Sequence, residues 1–419
     1  MSHPLRDRGF RLLFTARALS LTGDAAVPAA LALAVLRVTG SASSLALVLA
    51  CAMVPRLVLL PLGGVLADRF SARKVALITD LVSCGAQLFA GVELLSGDPR
   101  LWHLAVAQVI SGAASGLGTP TISPLVSGIV RPAGRQRANA ALATANGATR
   151  LLGPAIAGTF VLTIGPGWTF ILDAASFGVS AALMALVRFD HVPGPRHSLR
   201  ADLVEGWSEV RSRDWYWSSL IAHAIWNGAA GVMLTLGPVI AVRELGGEAT
   251  WVAVLQAGAV GLVVGALLAS RIRPRRPILV ANLGLAAYAL PLTLLAFEAP
   301  APLIIASYGL ALTGLGVLNP TWETVVQSTV PPQALARVTS YDWLLSLAAA
   351  PIAYALAPPA AEAWGPAVPL LIAAALVATS CLATAAVPSV RHLSLPPPPT
   401  NPAPPTQDQK PPTPASHPN

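Results

Sequence analysis

Residues 102–130 read WHLAVAQVISGAASGLGTPTISPLVSGIV, twenty-nine positions without an Asp, Glu, Lys or Arg. A helix rises ~1.5 Å per residue, so this run exceeds the ~20 residues needed to cross a ~30 Å hydrocarbon layer. Its polar residues Gln108, Ser111, Ser115 and Thr119 recur at spacings of three and four, which places them on one stripe of an otherwise apolar rod.

Similar runs recur on both sides. Apolar segments lie at 14–38, 43–67, 75–96, 101–130, 139–163, 167–187, 216–242, 250–270, 277–297, 301–330, 338–360 and 366–387. They are continuous and long, without the ~10-residue alternation of a membrane barrel, so an all-α polytopic membrane protein with twelve transmembrane helices is expected. Pro28, Pro120 and Pro291 predict kinks within them. The composition agrees: 54% of residues are hydrophobic, 11% are charged and the mean hydropathy is +0.64, whereas soluble chains carry about 25% charged residues. Cys51, Cys84 and Cys381 stand in separate segments, with no disulfide framework or metal-ligand spacing.

The formal charge of +8 does not point to nucleic acid, because the basic residues sit in short loops between apolar runs instead of on a recognition surface. With loops assigned alternately to two sides, twenty-two of the 27 Lys and Arg fall with the N-terminus. Three (Arg37, Arg100, Arg243) fall opposite, and Arg56 and Arg150 lie within the apolar runs. The positive-inside rule therefore predicts that both termini are cytoplasmic. The charged start, Met1 to Arg11, is followed by a segment too long for a signal peptide, so the first span is expected to be retained. Almost every basic residue is Arg, a bias that with the Ala and Pro enrichment suggests a bacterial source and a plasma-membrane location.

The chain divides and repeats. Residues 188–215 are polar, include Pro193, Gly194 and Pro195, and separate six segments (1–187) from six (216–387); within them 198–210 has the pattern of an amphipathic helix. Residues 388–419 are Pro-rich and predict a disordered cytoplasmic tail. Gly63-Gly64-Val65-Leu66-Ala67-Asp68-Arg69 aligns 202 residues later with Gly265-Ala266-Leu267-Leu268-Ala269-Ser270-Arg271, and Thr119-Pro120-Thr121 aligns 200 residues later with Asn319-Pro320-Thr321. Two helix-to-loop matches at nearly equal offset indicate two parallel six-helix repeats, an arrangement that places a binding site at their interface near the midplane.

The loop after the second segment resembles motif A of the major facilitator superfamily. Gly64, Leu66, Ala67, Asp68 and Arg69 fit, Arg73 and Lys74 stand one place displaced, and Ser71 and Ala72 occupy the positions of the usual Gly and first Arg. Gly147 and Gly153-Pro154-Ala155-Ile156-Ala157-Gly158 in the fifth segment resemble motif C, which marks exporters of that superfamily; Ala157 stands where Gly is usual. Ser20-Leu21-Thr22-Gly23-Asp24, Trp322-Glu323-Thr324 and Ser340-Tyr341-Asp342-Trp343 are similar to the branch containing enterobactin-type exporters and macrolide efflux proteins. The likeness covers residues 10–387. It implies that Asp68, among Arg69, Arg73 and Lys74, acts as a conformational latch between halves, and that segments 1, 4, 7 and 10 line a central cavity. A solvated loop acid is the alternative for Asp68, and close helix packing is the expected use of Gly147, Gly153, Pro154 and Gly158.

Ionisable groups at membrane depth cost ~2.5–3.5 kcal/mol each on insertion scales and so invite a functional reading. Asp24 lies ~10 Å along its helix beyond Arg17 and shares a face with Ser20. Burial penalises a charged carboxylate and a nearby cation favours it, so such a group can load and release a proton. The competing reading is a structural Asp paired with Arg56 or Arg150. Asp173 and Arg150 fall at comparable depth and are expected to pair; the alternative is a direct transport role, with Asp173 a further proton-coupling candidate. Glu323, with Asn319 and Gln327 at four-residue spacing, forms a polar face and is a second proton-coupling candidate. Asp342 reads as part of a capping box opening the eleventh segment. Cavity candidates are Gln108, Ser111, Ser115 and Thr119 on segment 4, His223, Trp226 and Asn227 beside Ser219 on segment 7, and Asn319 on segment 10. Hydrogen bonding between helices is the alternative for these residues.

No nucleotide-binding Gly-rich loop, zinc-binding helix motif or nucleophile elbow occurs in the sequence, which argues against an enzyme, a metal or another cofactor. The expectation is a monomeric secondary transporter whose partners are a small-molecule substrate, protons and the bilayer, exporting a drug-like or siderophore-like compound by alternating access. The alternatives are a uniporter or importer, and a non-transporting membrane sensor or scaffold.

Overall fold

The computed structural model describes residues 7–130, 138, 141–142, 144–149, 158–187, 207–272, 274–330 and 335–393. Among these every regular element is helical. They are α1 (Arg8–Asp24), α2 (Val27–Thr39), α3 (Ala42–Phe70), α4 (Ala72–Leu95), α5 (Leu101–Gly118), α6 (Ile122–Ile129), α7 (Pro166–Leu186), α8 (Asp214–Glu244), α9 (Glu248–Arg271), α10 (Pro277–Ala286), α11 (Ala289–Ala296), α12 (Ala301–Thr329), α13 (Leu335–Leu347), α14 (Ala349–Trp364), α15 (Ala367–Ala383) and α16 (Pro388–His392).

Ten helical runs among the described residues are long and apolar enough to cross a membrane. The expected fourth span is α5 and α6 joined through a 3₁₀ turn at Thr119–Thr121. The expected fifth span, 139–163, lies largely outside the described residues. Breaks fall where the prolines predict them: Pro28 opens α2, Pro120 occupies the 3₁₀ turn, and Pro291 follows the break between α10 and α11. The ends are capped by ordinary means, with the Asp7 carboxylate accepting from the Phe10 N–H at 3.1 Å and the Ser41 hydroxyl accepting from Ser44 N–H at 3.3 Å.

Three expectations are corrected here. The eleventh segment starts at Leu335, so Asp342 is an interior residue of α13 and not a cap. The chain stays ordered beyond 388, since α16 buries Val390 completely; expected disorder in the rest of the tail concerns residues outside the described ones. The turn after the second segment is shorter than a loop: α3 runs to Phe70, α4 starts at Ala72, and Ser71 alone joins them at φ +96°. Most of the expected amphipathic stretch 198–210 lies outside the described residues.

Packing repeats along the chain. In α3 against α5, a Cβ placed on Gly63 would lie 2.9 Å from both Gly116 O and Leu117 Cα; in α9 against α12, one on Gly265 would lie 2.8 Å from Gly316 Cα. The absent side chains let the two helix backbones approach, which is how helices associate in a solvent as apolar as their own surfaces.

The apolar cores show where the molecule is closed. One cluster joins Val27, Leu31 and Val35 of α2 and Leu45 and Val48 of α3 with Leu220, Met233 and Leu236 of α8 and Trp251 of α9. A second, of Phe10, Leu13, Ala76, Leu125 and Met184, is confined to the helices before residue 188 and their loops. Early and late helices therefore share a core at the end where α2 meets α3, and the early helices hold a second core of their own toward the N-terminus. Four residue pairs tie that shared end. The Arg37 guanidinium grips Glu248 through two oxygens, with Nε to Oε1 at 2.6 Å. Arg243 donates to Gly40 O at 2.5 Å and Ser43 to Glu362 at 2.8 Å. Ala46 packs with Tyr354 in the seam below.

Candidate functional site

The polar residues gather in three places. The first is a cavity of about 50 Å³ lined by Arg17, Ser20 and Asp24 of α1, Thr79, Asp80 and Ser83 of α4, Ser115 of α5, Thr119 and Thr121 of the 3₁₀ turn, and Ser180 of α7. That volume holds one or two water molecules. Asp80 Oδ2 accepts from the Ser180 hydroxyl at 2.6 Å. Asp24 is half-buried, with Arg17 and Arg56 within electrostatic reach. Among the described residues it makes no ion pair, since the described pairs are Arg37–Glu248, His103–Glu93 and Arg213–Glu209. The fixed pairing with Arg56 is thus not formed in this state; Arg150, the other proposed partner of Asp24 and of Asp173, lies outside the described residues.

Asp173 is completely buried on α7, its Oδ1 3.4 Å from the Ser176 hydroxyl, and it adjoins Asp24 electrostatically. Asp24, Asp80 and Asp173, from α1, α4 and α7, therefore converge. Gln108 and Ser111 are buried, and Gln108 Nε2 lies 3.4 Å from Gln87 Oε1, joining α5 to α4. Ser115 and Thr119 do line the small cavity.

The second place is a polar and aromatic network among α8, α10, α12 and α13. Asp342 Oδ2 accepts from Tyr216 OH at 2.9 Å and Trp322 Nε1 at 2.5 Å, and its Oδ1 accepts from Ser346 at 3.2 Å. His223 meets the Trp322 ring edge-on at 4.7 Å and Asn282 at 3.3 Å, and Asn282 donates to Ser219 at 3.0 Å. His223 is buried inside this network, Trp226 is buried against the Tyr288 ring at 4.7 Å, and Asn227 donates to the His223 carbonyl.

The third is the exposed face of α12, with Asn319, Glu323 and Gln327; Arg56 on α3 is also exposed and lies within electrostatic reach of Asp24. Among the described helices α12 packs against α9, α10 and α11, and its polar positions 319, 323 and 327 are exposed.

The motif residues divide. Arg73 donates to Met184 O at 3.1 Å and to Ala185 O at 2.5 Å, capping the last turn of α7. Lys74 is exposed, and the side chains of Gly64, Asp68 and Arg69 lie outside the described residues. A Cβ on Gly147 would meet nothing within 4 Å, whereas one on Gly158 would crowd Val252 of α9, with Gln256 at 3.4 Å. Gly153 and Pro154 lie outside the described residues. The sequence reading missed Asp80 and Asn282. Asp80 carried the same signal as Asp24, an acid inside an apolar run.

A helical membrane protein whose early and late helices share an apolar core at one end, with carboxyls buried between helices, has the architecture of a carrier. The profile of the Major Facilitator Superfamily matches residues 13–346, and the chain belongs to that superfamily of membrane transporters. It is 27% identical over 422 residues to a protein named multidrug efflux pump Tap from Mycobacterium tuberculosis (strain ATCC 25618 / H37Rv), covering 95% of this chain and 97% of that protein. It is 28% identical over 353 residues to the protein of the same name from Mycolicibacterium fortuitum, covering 79% and 84%. Among solved structures, a POT family transporter in complex with 5-aminolevulinic acid superposes with a TM-score of 0.72 at 14% identity, covering 92% of this chain and 97% of the other.

Proposed function

We propose that this transporter exports a small amphipathic organic compound, drug-like or siderophore-like, in exchange for protons, with Asp24 as the coupling carboxyl. The observation that carries the reading is Asp24 itself: half-buried, without an ion-pair partner among the described residues, beside a water-sized polar cavity and within reach of Arg17 and Arg56. A carboxyl in that setting is poised between charged and neutral forms, because desolvation opposes ionisation and the guanidiniums favour it. Glu323, exposed on α12, is the second candidate to take a proton or meet a substrate in this reading. Export as the direction is supported by the full-length relatives named efflux pumps and by the motif C resemblance.

In this reading the two six-helix units rock about the interface, and the structure is the state open to the cytoplasm. The end tied by Arg37–Glu248, Arg243–Gly40 and Ser43–Glu362 is the outer one. The turn of Asp68 and Arg69 then latches the opposite end in the outward-open state. The test is uptake of a compound panel into everted vesicles with and without an acid interior. Accumulation that depends on the proton gradient supports the reading; accumulation indifferent to it, or none for any amphipathic compound, refutes it.

A further inference from the structure

We propose that Asp80 is a second proton-relay carboxyl, exchanging one proton with Asp24 through water held in the cavity between α1, α4, α5 and α7. The inference rests on the reading that protons drive transport, and it assigns a site for the proton inside one half, away from any substrate surface. Four observations point to it.

Asp24 and Asp80 come from different helices, line the same cavity, and lie within electrostatic reach of each other and of Arg17. The cavity is large enough for water and, between apolar side chains such as Leu13, Ile122, Phe177 and Met184, presents the hydroxyls of Ser20, Thr79, Ser83, Ser115, Thr119, Thr121 and Ser180. The hydroxyls of Ser20, Thr79, Thr119 and Thr121 donate to backbone carbonyls and so offer water acceptors, whereas Ser83 and Ser115 can supply a donor as well, so water there has partners of both kinds while a proton passes. Asp24 is half-buried and makes no ion pair among the described residues, whereas Asp80 accepts from the Ser180 hydroxyl at 2.6 Å, which also accepts when its rotor turns. Asp80 can therefore be satisfied both as carboxylate and as acid.

The groups facing this pair from each neighbouring element are Arg17 on α1, Arg56 on α3, Ser115 on α5 and Asp173 and Ser180 on α7. Two carboxylates in one low-dielectric site repel, and a shared proton relieves that repulsion, so the pair titrates together. In the step itself, protonated Asp24 gives its proton to the cavity water while that water gives one of its own to the Asp80 carboxylate. One O–H bond breaks and one forms at each transfer, charge is conserved, and no further reactant is needed. Ser180 carries the change to α7, where Asp173 and the Gly23 contact lie.

The test uses the purified full chain in proteoliposomes with ethidium as the probe, comparing wild type, Asp24→Asn, Asp80→Asn, Asp80→Glu and Ser180→Ala. Asp80→Asn is expected to lower gradient-driven ethidium accumulation about a hundredfold while leaving downhill ethidium exchange intact, with partial recovery in Asp80→Glu. Ser180→Ala keeps both carboxyls, guards against a misfolded Asp80→Asn, and is expected to displace the pH profile of accumulation toward alkaline values, since it removes a donor to the ionised form. Infrared difference spectra of the carboxyl band should show that Asp80→Asn alters the titration of the remaining Asp24. Gradient-driven accumulation intact in Asp80→Asn, or an unchanged pH profile in Ser180→Ala, overturns the proposal. If only Asp24→Asn abolishes gradient-driven accumulation, the relay is wrong and proton coupling stands; if wild type ignores the gradient, the underlying reading fails instead.

Discussion

Arg37 at the end of α2 and Glu248 at the start of α9 form a two-pronged ion pair across 211 residues of sequence. Their side chains are 46% and 25% exposed, so the pair contributes about 1 kcal/mol or less to folding. The same energy matters more for conformation, because about 1 kcal/mol shifts a two-state equilibrium roughly fivefold. Glu248→Gln is therefore expected to leave thermal stability nearly unchanged and to populate the state open at this end. Labelling of Ala46→Cys, buried in the α3–α14 seam, by an impermeant maleimide should accelerate severalfold in a background lacking Cys51, Cys84 and Cys381. The exchange Arg37→Glu with Glu248→Arg should restore the slow rate. Equal rates in all three would show that the pair does not hold this end shut.

Gly23 is a packing requirement beside the coupling carboxyl. A Cβ there would lie 2.5 Å from Ser176 Oγ and 3.1 Å from Asp173 Cα. Gly23→Ala should push α1 off α7 at a cost of about 1–3 kcal/mol, seen as a lower melting temperature in detergent. Gly85→Ala, where nothing lies within 4 Å, should leave that temperature unchanged or slightly higher.

Ser71 joins α3 to α4 at φ +96°, ψ +116°, a region that side chains avoid. Such strain costs about 1–3 kcal/mol, part of which Gly gives back in unfolded-chain entropy. Ser71→Gly should stabilise the protein by about 1 kcal/mol in thermal unfolding. A destabilised variant would mean that the Ser71 side chain is needed more than the backbone is strained.

Cysteines introduced near either terminus should react with impermeant reagents in everted vesicles and remain unlabelled in intact cells, as the basic asymmetry requires. Labelling of the tail from outside would reverse the orientation and with it the assignment of the Arg37–Glu248 end.

The fold was legible in the sequence because a bilayer constrains it so strongly. An apolar run must be helical to satisfy its own backbone, and the paired Gly63 and Gly265 announced a packing geometry that α3–α5 and α9–α12 both use. The site was less legible. Helical spacing placed Ser219 and His223 on one face, but it could not tell whether that face looks into the central space or, as found, toward Asn282 of α10. The capping pattern at 339–342 resembled a helix start, yet α13 begins earlier, and Asp342 is instead fixed by Tyr216 and Trp322 from distant helices. Partners that far apart in sequence leave no local trace. Asp80 had a local trace and was passed over; its importance comes from Ser180 and Asp24, which only the packed helices bring near.

The central claim is that a proton carried at Asp24 drives export. Its most direct test is ethidium accumulation in everted vesicles with an acid interior, wild type against Asp24→Asn, with nigericin added to collapse the gradient. Wild type should accumulate ethidium until nigericin is added, while Asp24→Asn should bind and exchange ethidium yet fail to accumulate it at any pH. Accumulation by Asp24→Asn that still collapses with nigericin would contradict the account, since the proton would then travel by a route that does not use this carboxyl.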